Sequence, residues 1–410
     1  MRSVGLLLGT VHYVAAVAIL PTAETAENCK NMTFTVEASA THIIVDTPSD
    51  AELSSTDNLN AYLQNLPVAV LNGVPGNRSG TFHLAAVYCV PSSTTSDTTT
   101  QFQSPSDSDQ NPPLQILIHG STYTKEYWDR GAWNDGNSTY SWRTAANSAG
   151  YATVAIDKLG SGASSHPDPV LDIQLPLQME TIHAVIKQIK SGKVGIPISG
   201  TYILVGHASG SSLGASLAQT YPDDVDALVL TGYSSGSSAN TSLILAQEYE
   251  PAATSDSKRF GNLSYGYLLG NSLAARTTTL YYEGHYDPAI AVSDYSSRGV
   301  QALGERFSLG PKTVPAFKGK VLVLTGANDQ VVCGSTPARM CSLVPDAVMN
   351  VNTTFSSSTG FEYYIPQTGR NVNWHYKAPV TFDVTFEKLD YLLGRSSPGW
   401  RVNADELSDG

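Results

Sequence analysis

Five short, almost uninterrupted apolar runs mark the chain at 114–118, 152–156, 202–205, 227–230 and 321–324. Each stops abruptly at a glycine or a polar residue: His119-Gly120, Asp157, Gly206, Thr231-Gly232 and Thr325-Gly326. Runs of this kind suit strands covered on both faces, as in a parallel sheet. Between them the period changes to that of a helix. Leu177, Ile182, Val185, Ile186 and Ile189 fall on one stripe, as do Leu213, Ala215, Leu217 and Ala218. Strands alternating with helices predict an α/β fold with a mostly parallel central sheet.

The flanks read differently. Residues 34–38 and 82–90 alternate apolar and polar positions, as half-buried strands do, and 92–113 is a Ser/Thr/Asp/Pro-rich loop. The alternation breaks again over 235–318, rich in Tyr, Ser, Gly and Leu and lying between two predicted sheet strands. That stretch is expected to be an inserted cap over the carboxyl ends of the strands, where open α/β sheets bind ligands. A last strand is expected near 361–365 and a closing helix over 382–393. The resulting division is a leader over 1–26, N-terminal strands and loop over 27–113, core over 114–234, cap over 235–318, core again over 319–395, and a loose acidic tail over 396–410.

Charge narrows the partners. With 36 Asp+Glu against 24 Lys+Arg the formal net charge is −12, a poor match for phosphate backbones, so nucleic acid is excluded as a main ligand. A positive start, an apolar stretch from Val4 to Leu20 and small residues after it predict a secretory signal peptide. The stretch is shorter than the roughly 20 residues a spanning helix needs, and no membrane span is expected in the mature chain. Six Asn-X-Ser/Thr sequons, at Asn31, Asn77, Asn137, Asn240, Asn262 and Asn352, suit a glycosylated product of the secretory pathway. The four cysteines are expected to pair as Cys29–Cys89 and Cys333–Cys341, one of three possible connectivities. Their spacing is not that of a zinc site, and neither metal nor cofactor is expected.

The most informative segment is 202–214, a strand, then Gly206-His207-Ala208-Ser209-Gly210, then an amphipathic helix. Glycines at −2 and +2 about a sharp strand-to-helix turn describe a nucleophile elbow, whose central residue is normally serine. Here it is Ala208. With His119-Gly120, Tyr127-Trp128-Asp129, Asp226–Gly232, Tyr286-Asp287-Pro288 and Gly326-Ala-Asn-Asp329, the chain resembles a family of secreted fungal α/β-hydrolase-fold proteins from about Cys29 to Arg395. The resemblance implies a Ser–Asp–His triad in that chain order. Carried over residue by residue, the acid falls on Asp329, the nucleophile on Ala208 and the base on Arg370, within Gly369-Arg370-Asn371-Val372-Asn373-Trp374-His375.

Two of the three positions therefore depart from the family. Ser209 is an alternative nucleophile, although its own −2 and +2 neighbours are His207 and Ser211 and the turn is expected to aim its hydroxyl elsewhere. His375 is either a swung-in base or a partly buried structural histidine. The backbone N–H groups of Ser209 and Ser121 are expected to form the oxyanion hole, with His119 and His207 beside it. Arg370 has two readings, an ion pair to the stranded Asp329 or a grip on an anionic group. Asp157-Lys158-Leu-Gly-Ser-Gly162 reads as a structural turn and not a phosphate loop, and Asp287 and Asp294 as carboxylates of a solvated cap loop.

The leading reading is a non-hydrolytic enzyme, cyclase- or isomerase-like, acting on a small apolar metabolite through a retained oxyanion hole; the alternatives are a ligand-binding pseudoenzyme and hydrolysis through an unexpected nucleophile such as Ser209. Tyr265, Tyr267, Tyr281, Tyr282 and Tyr286 point to a small apolar or aromatic molecule as the partner.

Overall fold

The computed structural model describes residues 28–91, 111–129, 138–235, 246–307, 310–333, 341 and 346–395. The expected leader, the C-terminal tail, most of the Ser/Thr-rich loop, and the sequons at Asn137 and Asn240 lie outside them. In chain order the strands of the main sheet are β1 (Cys29–Ile44), β2 (Val74–Cys89), β3 (Leu114–Ile118), β4 (Ala152–Ile156), β5 (Tyr202–His207) and β6 (Ala227–Thr231). A small sheet follows, made of β7 (Tyr249–Pro251), β8 (Tyr267–Gly270) and β9 (Gln301–Ala302), and the main sheet is completed by β10 (Lys320–Leu324) and β11 (Gly360–Tyr364).

The eight-stranded sheet runs β1-β2-β4-β3-β5-β6-β10-β11. Every pair from β4 to β11 is parallel, and only β1–β2 and β2–β4 are antiparallel. All residues of β3, β4, β5 and β6 are buried, which is why they carry no polar alternation. Alternate residues feed two cores. Ile116, Ile118, Val154 and Ile156 pack with Ile182, Val185, Ile186 and Ile189 of the helix Leu175–Lys190, and with Leu213 and Leu217 of the helix Ser209–Thr220. Leu117, Val205, Leu322 and Leu324 pack on the other face against Trp142, Trp374, Phe382 and Phe386. Each fully buried aliphatic or aromatic side chain contributes on the order of 1.5–3 kcal/mol.

The N-terminal strands are longer than the sequence pattern predicts. β1 and β2 form a 16-residue ribbon in unbroken register, with Cys29 directly opposite Cys89. Only Ala86–Cys89 of β2 pairs with β4, so the outer half of the ribbon, around Ser39 and Ser79, lacks a second neighbour in the sheet and carries little apolar signal. The helix Thr56–Asn72 between the strands contains Pro67 and buries only Leu59, Leu63 and Leu66. Both disulfides pair as expected, Cys29–Cys89 with its Cα atoms 4.1 Å apart and Cys333–Cys341 with 5.2 Å. The described sequon asparagines, Asn31, Asn77, Asn262 and Asn352, are all exposed. No helix among the described residues is long and apolar enough to cross a membrane.

The cap expectation needs one correction. Asp294 is not on a solvated loop. It is fully buried and takes a bidentate pair from Arg276 at 2.9 and 2.7 Å, with Tyr281 Oη donating at 3.0 Å. Asp287 instead caps the helix Pro288–Ser296, accepting from Ala289 N at 2.8 Å. Two of the five tyrosines put forward as a ligand surface are likewise committed to the fold: Tyr281 through Asp294, and Tyr267 through Pro167 O at 2.7 Å.

Candidate functional site

Because the central strands are parallel, the loops after β3, β4, β5, β6, β10 and β11 all emerge at one edge of the sheet. That edge gathers His119–Ser121, Asp157–Lys158, Ala208–Ser209, Gly232, Asp329 and Arg370, residues spread over 250 positions of sequence. The turn after β5 is as sharp as the Gly-X-X-X-Gly spacing predicts. Ala208 sits at φ 52°, ψ −111°, a conformation that L-residues rarely adopt. A Cβ at Gly206 would stand 2.5 Å from Gly210 O, and one at Gly210 would collide with Ile118 O. The glycines are therefore steric requirements of the turn. Ala208 N donates to Thr231 O at 2.9 Å and Ala208 O accepts from Ser212 N at 3.1 Å, locking the turn to β6 and the helix.

Strain of this type costs about 1–3 kcal/mol. Glycine would relieve most of it while losing roughly 0.5–1 kcal/mol to its greater freedom when unfolded. Ala208→Gly should therefore raise stability by about 1 kcal/mol in urea unfolding. A decrease would show that the turn is not strained.

Opposite Ala208 lies the loop after β3. A Cβ at Gly120 would come within 3.2 Å of the Ala208 methyl, so the two segments are in close register. The backbone N–H groups of Ser209 and Ser121 have no acceptor among the described residues. His119 braces this loop: its Nε2 accepts from Lys158 N at 3.1 Å, which leaves the proton on Nδ1 to donate to Gly120 O at 2.7 Å. His207 shares a hydrogen bond with Thr231 Oγ1 at 2.9 Å through Nδ1, stacks on Tyr127 at 4.3 Å, and has a buried Nε2 with no partner among the described residues. Burial holds both imidazoles neutral, well below their ordinary pKa. For His119 the nearby Lys158 adds to this, and for His207 Arg370 does.

Asp329 is fully buried. Its two oxygens accept from Arg370 Nη1 at 3.1 and 3.0 Å, and Oδ1 also accepts from Val331 N at 3.0 Å and Val332 N at 3.2 Å. Of the two readings of Arg370, the ion pair is the one present. His375 does not approach them. It is completely buried, with Nδ1 donating to Asn371 O at 2.8 Å and Nε2 accepting from Tyr282 N and Gly369 N, each at 2.9 Å. Burial lowers its pKa to about 4. Both nitrogens are engaged in holding the loop that presents Arg370.

Sequence reading missed one group and misplaced another. Lys158, taken as part of a structural turn, is 1 % exposed and extends its ammonium to Ser209 Oγ at 3.1 Å and to Glu305 Oε1 at 2.7 Å. Ser209 Oγ does not point away from the site; it lies between Lys158 Nζ and Ser121 Oγ, the latter also at 3.1 Å. Glu305, in the 3₁₀ turn Leu303–Arg306 after β9, further accepts from Gln178 Nε2 at 3.1 Å. A lysine directly after an apolar strand was the available signal. Its partner 147 residues away was not legible.

Residues 116–355, more than half of the chain, match the family model of the α/β hydrolase fold. The chain belongs to the α/β-hydrolase family. Beyond the family model, this α/β-hydrolase-fold chain is 28% identical over 136 residues to epoxide hydrolase 3 of Xenopus tropicalis, a stretch covering 33% of the chain and 31% of that relative. It therefore spans about a third of the relative's length. Solved structures that resemble it include a thermophilic esterase from Thermogutta terrifontis, with 15% identity, a TM-score of 0.45, and coverage of 76% of this chain and 95% of the esterase. Another is the enol-lactonase from Burkholderia xenovorans LB400, with 12% identity, a TM-score of 0.45, and coverage of 77% and 97%.

Proposed function

We propose that this α/β-hydrolase-family protein binds a small apolar molecule at its elbow without hydrolysing it, and that it does so as a product of the secretory pathway. The observation that carries the reading is Ala208. It occupies the strained centre of the turn with a methyl group, while Ser209 N–H and Ser121 N–H have no acceptor among the described residues. Such donors polarise a carbonyl and hold a developing negative charge, but they attack nothing.

Binding without turnover fits the surroundings better than a cyclase- or isomerase-like reaction, because proton transfer needs a free base that a ligand can reach, and the unpartnered Nε2 of His207 is completely buried. Asp329 is tied to Arg370 and two backbone N–H groups, and both nitrogens of His375 are used by its own loop. One contact favours the remaining reading, hydrolysis through Ser209: Lys158 Nζ lies 3.1 Å from its hydroxyl. Glu305 opposes it, since a lysine paired to a buried carboxylate acts as a donor rather than a base.

Intact-mass analysis after treatment with a fluorophosphonate probe separates the two. The protein should remain unlabelled, while an Ala208→Ser, Arg370→His double variant should label with one equivalent. Labelling of the unaltered protein at Ser209 would overturn the binding reading.

A further inference from the structure

The polar chain Glu305–Lys158–Ser209–Ser121 has a polarity fixed by proton count. Lysine can only donate, so Ser209 Oγ must accept from Lys158. The Ser121 and Ser209 hydroxyls share one further hydrogen bond, which consumes one of their two protons. Whichever of them donates, one O–H remains, and it belongs to a hydroxyl that is only half-buried, whereas the Lys158 and Glu305 side chains are 1 % and 5 % exposed. That hydroxyl and the N–H groups of Ser209 and Ser121, which have no acceptor among the described residues, sit on two residues whose hydroxyls touch. Together they supply three donors, more than a single carbonyl oxygen with two lone pairs can take.

Charge points the same way. Lys158 stands between Glu305 and the hydroxyl pair, so it presents the positive end of that ion pair to the site. The twelve-residue helix Ser209–Thr220 begins at the same place and adds the positive end of its dipole. An ammonium behind a hydroxyl strengthens the hydroxyl as a donor.

We propose that the ligand of this site carries a carboxylate, an apolar monocarboxylate whose two oxygens share the three donors, and that Lys158 is a positioning residue acting through Ser209. The proposal rests on the binding reading above and supplies its chemical class.

The test is isothermal titration of the full-length, disulfide-intact protein with octanoate and phenylacetate, each beside its alcohol and its methyl ester. The acids should bind at least tenfold tighter than their neutral counterparts. Lys158→Met should bring the acids down to the affinity of their neutral counterparts. Since Lys158→Met leaves Glu305 buried and unpaired, the Lys158→Met, Glu305→Gln variant removes both charges and should show the same loss. If acids and neutral compounds bind alike in the unaltered protein, or if both variants keep the preference, the carboxylate assignment is wrong and the binding reading stands. If none of the compounds binds and Ser209 takes the fluorophosphonate label, both fall.

Discussion

Replacing Arg370 with methionine should lower the free energy of unfolding by about 3 kcal/mol, the low end of what removing one partner of a buried ion pair costs. The low end applies because Asp329 would keep its bonds to Val331 N and Val332 N, yet its second oxygen would face the protein interior with no donor. Adding Asp329→Asn should recover most of the loss, since the orphaned charge and not the missing guanidinium is the expensive element. Urea unfolding of the two single variants and the double variant measures this as a coupling energy. Purely additive losses would show that the two side chains stabilise the protein independently.

The second large effect is acid destabilisation. His375 has its pKa lowered to about 4 by burial, against an ordinary histidine value near 6.5 in the unfolded chain. Between those values the unfolded chain binds the additional proton, so stability rises with pH across that window. The contribution is complete above about pH 6.5 and disappears progressively toward pH 4, amounting to about 3 kcal/mol for a shift of this size. His119 and His207 are lowered too and add to the same slope. Unfolding free energies measured from pH 8 to pH 4 should fall steeply below 6.5, and His375→Gln should flatten the curve in that interval. An unchanged slope in the variant would place the acid sensitivity elsewhere.

What the sequence disclosed follows from how locally each feature is determined. The parallel strands declared themselves because burial on both faces demands unbroken apolar runs, and the elbow because a sharp turn needs glycine at both Gly206 and Gly210. The outer half of the β1–β2 ribbon was illegible because its inner face packs with small or polar residues, Ala38, Ala40 and His42, and the other face leaves residues such as Ser39 and Ser79 exposed, so no strong apolar alternation results. Asp294 was misread for a related reason. An acid in a polar stretch looks solvated until Arg276 is brought onto it by the packing of the helices Leu273–Leu280 and Pro288–Ser296. Lys158 shows the limit most clearly, because its contacts come from the elbow and from the segment after β9, and neither is near it in sequence.

The backbone at Ala208 bears on how far this protein stands from a covalent one. The turn already holds a Cβ in its strained conformation, and both glycine clearances are in place, so a hydroxymethyl group could be added there with no rebuilding of the main chain. The separation is then a matter of codons. Any alanine codon becomes serine by one base change, and an arginine codon CGU or CGC becomes histidine by one more. With such a codon at 370, two point mutations separate the elbow as it stands from one bearing serine at 208, histidine at 370 and the Asp329 already present.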